Sequence, residues 1–274
     1  MKRPRIGMLL LYLGLIIGAV LTLTPLFWMV SASFMRPGEA SAFPPPILPA
    51  HPTLEHYSAL FTRIHLARHF MNSTIVTVGA TVLSVFFNSM AAYAFAKLAF
   101  RGRDRLFQTL TLAMVIPAQV GMLPLFLLLR TMGLVNTFLG VMIPYLAGVF
   151  GIFMVRQYIQ SLPDELLHAA RIDGAGEFRI FWSIVMPVIT PILVTLAAFT
   201  FLSAWNDFMW PLIILSDERL YTLPVALANL SGEHVQDTEL MMAGSVLTVI
   251  PALVVFLIFQ KAYVRGIMGG SVKG

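Results

Sequence analysis

The chain has 274 residues, of which 58% are hydrophobic and 11% charged, with a mean hydropathy of +0.83. A soluble domain carries about 25% charged residues, so this composition excludes a soluble globular protein and implies a polytopic membrane protein. Cysteine is absent, which removes disulfides, thiolate-bound zinc and thiol catalysis together.

Of the six histidines only His65 and His69 stand at H-x-x-x-H spacing, and one such pair without cysteine ligands is too little for the sequence to offer a metal site. The net charge of +5 reads, in a membrane protein, as basic residues collected in cytoplasmic loops rather than as a nucleic-acid surface.

A helix needs about 20 apolar residues to cross the hydrocarbon core. Six segments reach that length: 7–34, 70–97, 105–129, 138–159, 184–205 and 240–264. The first resembles a secretory signal, with Lys2, Arg3 and Arg5 ahead of it and Ser31-Ala32-Ser33 behind. Its apolar run exceeds the roughly 7–15 residues of a signal core, so an uncleaved first span is expected. Residues 35–69 hold Pro37, Pro44, Pro45, Pro46, Pro49 and Pro52 and predict an extended surface segment. A polar loop covers 160–183. Between the last two spans, 206–239 contains an apolar stretch, Phe208–Leu215, too short to cross. It is a re-entrant or surface-lying piece, or the end of the fifth helix. No Gly/Ser linker or low-complexity tract divides the chain, so the prediction is an all-α bundle of six spans in one domain, 1–274.

The basic residues orient the bundle. With the N-terminus in the cytoplasm, the inner segments hold Lys2, Arg3, Arg5, Lys97, Arg101, Arg103, Arg105, Arg156, Arg171, Arg179, Lys261, Arg265 and Lys273. The outer ones hold only Arg36, Arg63, Arg68, Arg130 and Arg219. This asymmetry places both termini in the cytoplasm.

The polar loop is organised. Ser161 and Asp164 have capping-box spacing, and Pro163 falls in the first turn, where its missing N–H is tolerated. Leu162, Leu166, Ala169 and Ala170 then share one helical face, among Asp164, Glu165, His168 and Arg171. Gly174 and Gly176 end the helix. A second short helix from Glu177, with Phe178, Phe181 and Trp182 as its apolar side, leads to Pro187. On shape alone, an ordinary amphipathic surface helix and a socket for a soluble partner fit equally.

The residue pattern separates them. Pro163, Glu165, Leu166, Ala169, Ala170, Asp173, Gly174, Ala175 and, a dozen residues on, Pro187 resemble the EAA-loop signature of ATP-binding-cassette importer permeases. One position departs: His168 stands where the family carries its glutamate, with Glu165 one turn earlier. Trp205-Asn206-Asp207-Phe208-Met209-Trp210-Pro211-Leu212, the Thr222-Leu223-Pro224-Val225 element and the Gly266–Gly274 tail resemble carbohydrate permeases, specifically the six-span second subunit of the maltose type.

The resemblance implies a complex of this chain, a homologous permease, two copies of an ATPase that uses ATP and magnesium, and an extracytoplasmic solute-binding protein delivering a sugar. The setting is a bacterial-type cytoplasmic membrane. It also implies that Glu165, Leu166, His168, Ala169, Ala170, Asp173, Gly174 and Ala175 couple the permease to the ATPase, and that Ser271-Val272-Lys273 either reach the ATPase or form a frayed end. No cofactor is implied in this chain.

Polar residues within spans are candidates for the solute path, because burying them in lipid is costly. Asn88, Gln119 beside Pro117, Trp205, Asn206 and Asp207 are the candidates. For Asn88 the alternative is a helix–helix hydrogen bond. For Asp207 it is a solvated cap or a binding-protein contact, and for Trp205 and Trp210 an interfacial belt. Asn72 and Ser73 fit interfacial solvation as well as a path.

A secondary transporter or channel working without ATP is the rival class. No acid falls centrally in a span and no half-length repeat is visible, which disfavours it. The chain carries no G-x-S-x-G, H-E-x-x-H or Walker motif, so hydrolytic chemistry is assigned to a partner.

Overall fold

The computed structural model describes residues 5–62, 64–233 and 237–269. Regular structure among them is helical. In chain order the helices are α1 (Arg5–Ala32), α2 (Glu55–Thr62), α3 (Leu66–Lys97), α4 (Arg103–Ala113), α5 (Ala118–Thr131), α6 (Phe138–Leu146) and α7 (Val149–Gln160). They continue with α8 (Asp164–Ile172), α9 (Glu177–Ile180), a π turn (Phe181–Val185), α10 (Met186–Val188), α11 (Thr190–Trp205), α12 (Met209–Ile214), α13 (Leu223–Glu233) and α14 (Thr238–Gly269).

Three helices are long and apolar enough to cross a membrane alone: Gly7–Ala32, Leu66–Lys97 and Thr238–Gln260. The segments expected as spans at 105–129, 138–159 and 184–205 are bent helix pairs. α4 meets α5 at 107°, α6 meets α7 at 41°, and Glu177–Val188 meets α11 at 81°.

Proline explains the breaks. Pro117 is the N-cap of α5, and it disfavours helical geometry at the residue before it, so α4 stops short. Pro144 lies inside α6, and the chain leaves that helix at Ala147. Pro187 has no N–H to return to the preceding turn, and the chain widens there into a π turn before α10. Pro191 sits in the first turn of α11, where its ring crowds the turn behind it and ends α10.

The chain forms two compact units, 1–67 with 226–251, and 68–225 with 252–274. In the first, the Pro-rich segment is not extended throughout, because α2 occupies its later part. The irregular part is tied by side chains, since prolines supply no N–H for a backbone ladder. Trp28 Nε1 donates to the Pro46 carbonyl at 3.2 Å, and the Ser31 hydroxyl to the Ile47 carbonyl at 2.5 Å. Glu39 accepts from the Arg36 and Ala50 amides at 2.9 and 2.6 Å. Glu239, buried in α14, accepts the Ala40 amide at 2.7 Å. On α1, Leu9 and Leu21 are 70% and 69% exposed, and a helix apolar on every side belongs in hydrocarbon.

The second unit has two cores. One packs Tyr93, Val155, Ile159, Leu167, Ile180, Phe181 and Leu196 from α3, α7, α8, α9, the π turn and α11. The other packs Val76, Leu129, Met142, Trp210 and Ile214 from α3, α5, α6 and α12. The apolar stretch at 208–215 thus holds a separate short helix rather than a continuation of α11, with Trp210, Pro211 and Ile214 buried and Met209, Leu212 and Ile213 exposed. Trp210 is fixed there by a 3.1 Å hydrogen bond to the Gly140 carbonyl, which removes it from an interfacial belt. Gly140 itself has no room for a Cβ, because the Leu134 carbonyl occupies that space.

Candidate functional site

The loop 160–183 is held by ionic contacts at both ends. At its start the capping box does not form. The Ser161 hydroxyl donates back to the Tyr158 carbonyl at 2.7 Å, and Pro163 is the N-cap of α8 without a side-chain bond. The reason is competition: the last turn of α7 offers carbonyls to Ser161 before α8 offers amides. Lys97, at the end of α3, replaces the cap. Its Nζ donates to the Leu162 carbonyl and to Asp164, each at 2.6 Å. That hydrogen bond holds the Asp164 carboxyl below its ordinary range. Asp164 and Glu165 also lie in the first turn, where the helix dipole favours negative charge.

The far end is closed by Gly174 and Glu177. Gly174 adopts φ 81°, the Ala175 amide reaches the Ala170 carbonyl, and the Gly174 amide reaches Arg171, both at 3.0 Å. This pair of bonds is the Schellman ending of a helix. Beyond it, Glu177 accepts from Arg171 Nε at 2.7 Å and from the Tyr93 hydroxyl of α3 at 2.6 Å. The bond to Glu177 raises the Arg171 pKa above its usual value.

The faces of the two short helices are corrected. Leu167 and Ala170 point into the core and Leu162 is half-buried, whereas Leu166 and Ala169 are exposed. Of the three aromatics, Phe181 is buried, while Phe178 and Trp182 are 65% and 40% exposed. The expected shared face of Leu162, Leu166, Ala169 and Ala170 counted apolar residues without knowing which side the core would claim. The result is an outward apolar row, Leu166, Ala169, Ile172, Phe178 and Trp182, with Ile172 87% exposed. Glu165, His168 and Asp173 stand exposed beside it, with Gly174 and Gly176; Ala175 is half-buried against the core. Sequence reasoning missed Ile172. Its signal is a large aliphatic residue at the end of a charged loop helix, four residues from His168.

The candidates for the solute path are dispersed. Asn88 is 1% exposed; its amide donates to Ser84 Oγ at 2.7 Å, which in turn lies 3.2 Å from the Thr200 hydroxyl. Asn88 Oδ1 has no hydrogen-bond partner. Trp205 is 2% exposed, stacked on Phe201 at 5.9 Å and meeting Phe70 edge-on at 5.5 Å. Asp207 accepts from the Tyr145 hydroxyl at 2.7 Å and the Trp210 amide at 3.3 Å. Asn206 is exposed, donating to the Leu202 carbonyl at 2.7 Å, and Gln119 is exposed on α5. No hydrogen bond among the described residues joins Asn88 or Gln119 to the Asp207 group.

Asn72 and Ser73 are buried rather than solvated at an interface. Asn72 donates to the Arg219 and Tyr221 carbonyls at 2.9 and 3.0 Å, and Ser73 accepts the Leu223 amide at 2.7 Å. They clamp the Thr222-Leu223-Pro224-Val225 element onto α3. Of the tail, 270–274 lie outside the described residues, including Ser271, Val272 and Lys273.

The family described as "Binding-protein-dependent transport system inner membrane component" matches residues 89–269, which include the loop and every hydrogen bond that closes its far end. The chain belongs to this family. The permease is 37% identical over 272 residues to the arabinooligosaccharides transport system permease protein AraQ of Halalkalibacterium halodurans, a match covering 97% of this chain and 96% of the relative. It is 32% identical over 253 residues to the melibiose/raffinose/stachyose import permease protein MelC of Bacillus subtilis, covering 91% of each. Its fold matches a crystal structure of a bacterial ABC transporter involved in the import of the acidic polysaccharide alginate. There the TM-score is 0.85 at 26% identity, over 95% of this chain and 98% of that one. The permease is therefore a non-catalytic, multi-pass membrane subunit of an ABC importer, whose ATPase is a partner protein. A second permease and a solute-binding protein complete such importers in general.

Proposed function

We propose that the permease imports an oligosaccharide or related sugar across a bacterial cytoplasmic membrane, as one permease domain paired with a homologous permease and two ATPase subunits. The relatives named for arabinooligosaccharides and for melibiose, raffinose and stachyose support the substrate class. Six crossings, three continuous and three broken, with both termini in the cytoplasm, agree with the distribution of basic residues. ATP and magnesium belong to the ATPase.

In this reading α8 is the coupling helix, and the outward row from Leu166 to Trp182 docks in the ATPase. Glu165, His168 and Asp173 supply polar contacts at the rim, and Ala169 allows close approach. Gly174 makes the turn that sets the second half of the row, and Ala170 and Ala175 seat it against the core. ATPase closure shifts the pore only if this element contacts the two states differently. A helix tethered to α3 at Lys97 and at Tyr93 transmits such a shift into the bundle. The observation that carries the reading is the exposure of Ile172, at 87%, on an ionically clamped helix. With Leu166 and Phe178 exposed on the same loop, Ile172 belongs to a group of apolar side chains rimmed by polar ones, the kind of surface that marks a protein contact. Asn206, Asp207 and Gln119 are the path candidates that retain access, and Asn88 and Trp205 shape the helices around them.

The test is reconstitution of the complete importer in proteoliposomes with its solute-binding protein. ATP-dependent accumulation of a labelled oligosaccharide is expected. Uptake that is unaffected by ATP removal would defeat the reading.

A further inference from the structure

The turn joining α3 to α4 concentrates positive charge beside apolar surface. Within 97–105 stand Lys97, Arg101, Arg103 and Arg105 against one acid, Asp104. Lys97 is committed to Asp164, and Arg103 to Asp104 at 3.1 Å and to the Leu98 carbonyl at 3.3 Å. Arg101 and Arg105 are exposed and have no carboxylate partner among the described residues. Close by, the Arg156 guanidinium lies 3.8 Å from the centroid of the Phe107 ring, and its Nε donates to the Phe95 carbonyl at 3.2 Å. It too lacks a carboxylate. Ala99, Phe100, Gly102, Arg103, Asp104 and Arg105 line an open cavity of about 470 Å³. Phe100, Leu106 and Leu112 beside it are 41%, 53% and 71% exposed.

We propose that this turn binds the phosphate of an anionic phospholipid in the cytoplasmic leaflet, with Arg101 and Arg105 as the ligating groups. The proposal rests on the orientation given above, which puts the turn at the inner surface. Two properties choose the ligand. Uncompensated guanidinium groups call for a phosphate, which they hold through paired N–H donors. Exposed aromatic and leucine side chains on the same turn and the helix that follows call for acyl chains. A phospholipid satisfies both, whereas free phosphate satisfies only the first. Arg103, already bonded to Asp104 and Leu98, fixes the wall of the cavity rather than contacting the ligand.

The experiment is native mass spectrometry of the purified full-length chain titrated with phosphatidylglycerol and, separately, with phosphatidylcholine. Each basic group near an anionic leaflet contributes about 5-fold in affinity, so R101Q/R105Q is expected to bind phosphatidylglycerol about 25-fold more weakly. R101K/R105K, which keeps the charge but not the paired donors, is expected to bind more weakly than the wild type and more tightly than R101Q/R105Q, and guards against loss of fold as the cause. Equal binding of the two lipids by the wild type, or unchanged phosphatidylglycerol binding by R101Q/R105Q, overturns the proposal. Displacement of the lipid by millimolar inorganic phosphate alone would overturn it in favour of a soluble anion. Orientation is read separately. The chain has no cysteine, so Ala99→Cys reports on which side of the membrane the turn lies. An outward label would fail the topological reading, while an inward label with no lipid preference fails the lipid site alone.

Discussion

Replacing Glu177 by alanine asks whether one carboxylate fastens α8, the proposed coupling helix, to α3. The carboxylate takes the Tyr93 hydroxyl at 2.6 Å and Arg171 at 2.7 and 3.4 Å. Tyr93 is 4% exposed, so its hydroxyl would lose that acceptor where water reaches poorly, costing about 1–3 kcal/mol. The arginine pair is 32% and 45% exposed, and contributes at most about 1 kcal/mol. The seating of α8 is therefore expected to weaken by about 1–4 kcal/mol. Tyr93→Phe leaves the carboxylate with Arg171 and should cost about 1 kcal/mol. The double variant should be no worse than Glu177→Ala, because both changes remove one shared bond. Uptake per ATP hydrolysed in proteoliposomes, and protease cleavage of the 160–183 loop in the purified importer, read the two consequences. Additive losses in the double variant, or wild-type coupling in Glu177→Ala, would refute the reasoning.

Three other substitutions probe the same loop. Gly174→Val should leave membrane insertion intact and lower uptake per ATP. No atom lies within 4 Å of the added Cβ, so the penalty is the backbone's, about 1–2 kcal/mol for a left-handed residue. Gly174→Asn should be milder, and wild-type coupling in the valine variant would contradict this. His168→Glu should be tolerated, since His168 is exposed beside the docking row; loss of the ATPase on purification would show instead that the histidine is matched to its partner. Asp164, with its carboxyl depressed by the Lys97 bond, contributes stability above the ordinary aspartate value of 3.8. That contribution is lost as pH falls through the lower folded value. Proteolysis of the loop should therefore rise on acidification, and Asp164→Asn should remove that component; an identical acid profile in the variant would contradict it.

The helical, membrane-type fold was legible in the sequence because hydropathy over about 20 residues is a local signal. The three bent helix pairs were less so. Pro117, Pro144, Pro187 and Pro191 are visible in the sequence, but whether a helix bends by 41° or 107° depends on what packs around it. The signature of the 160–183 loop was visible as a residue pattern, yet the facing of its residues was not. Leu167 and Leu166 are adjacent and chemically identical, and only the position of α7 and α11 decides which one is buried. Asn72, Ser73 and Trp205 stayed open between a solute path and an interface for a related reason. A polar or aromatic residue near a span end looks interfacial until the 219–223 segment and Phe70 are seen to cover it.

The account turns on the outward row of the coupling loop being the seat of the ATPase, and Ile172 tests it most directly. The measurement is affinity purification of the wild-type chain and of Ile172→Asp from native membranes in mild detergent, with the co-purifying chains identified and quantified. The account predicts an ABC ATPase and a second permease with the wild type, and loss of the ATPase but not of the second permease with the aspartate variant. Undiminished ATPase with Ile172→Asp would contradict it, as would a wild-type chain that purifies alone from membranes taking up sugar without ATP.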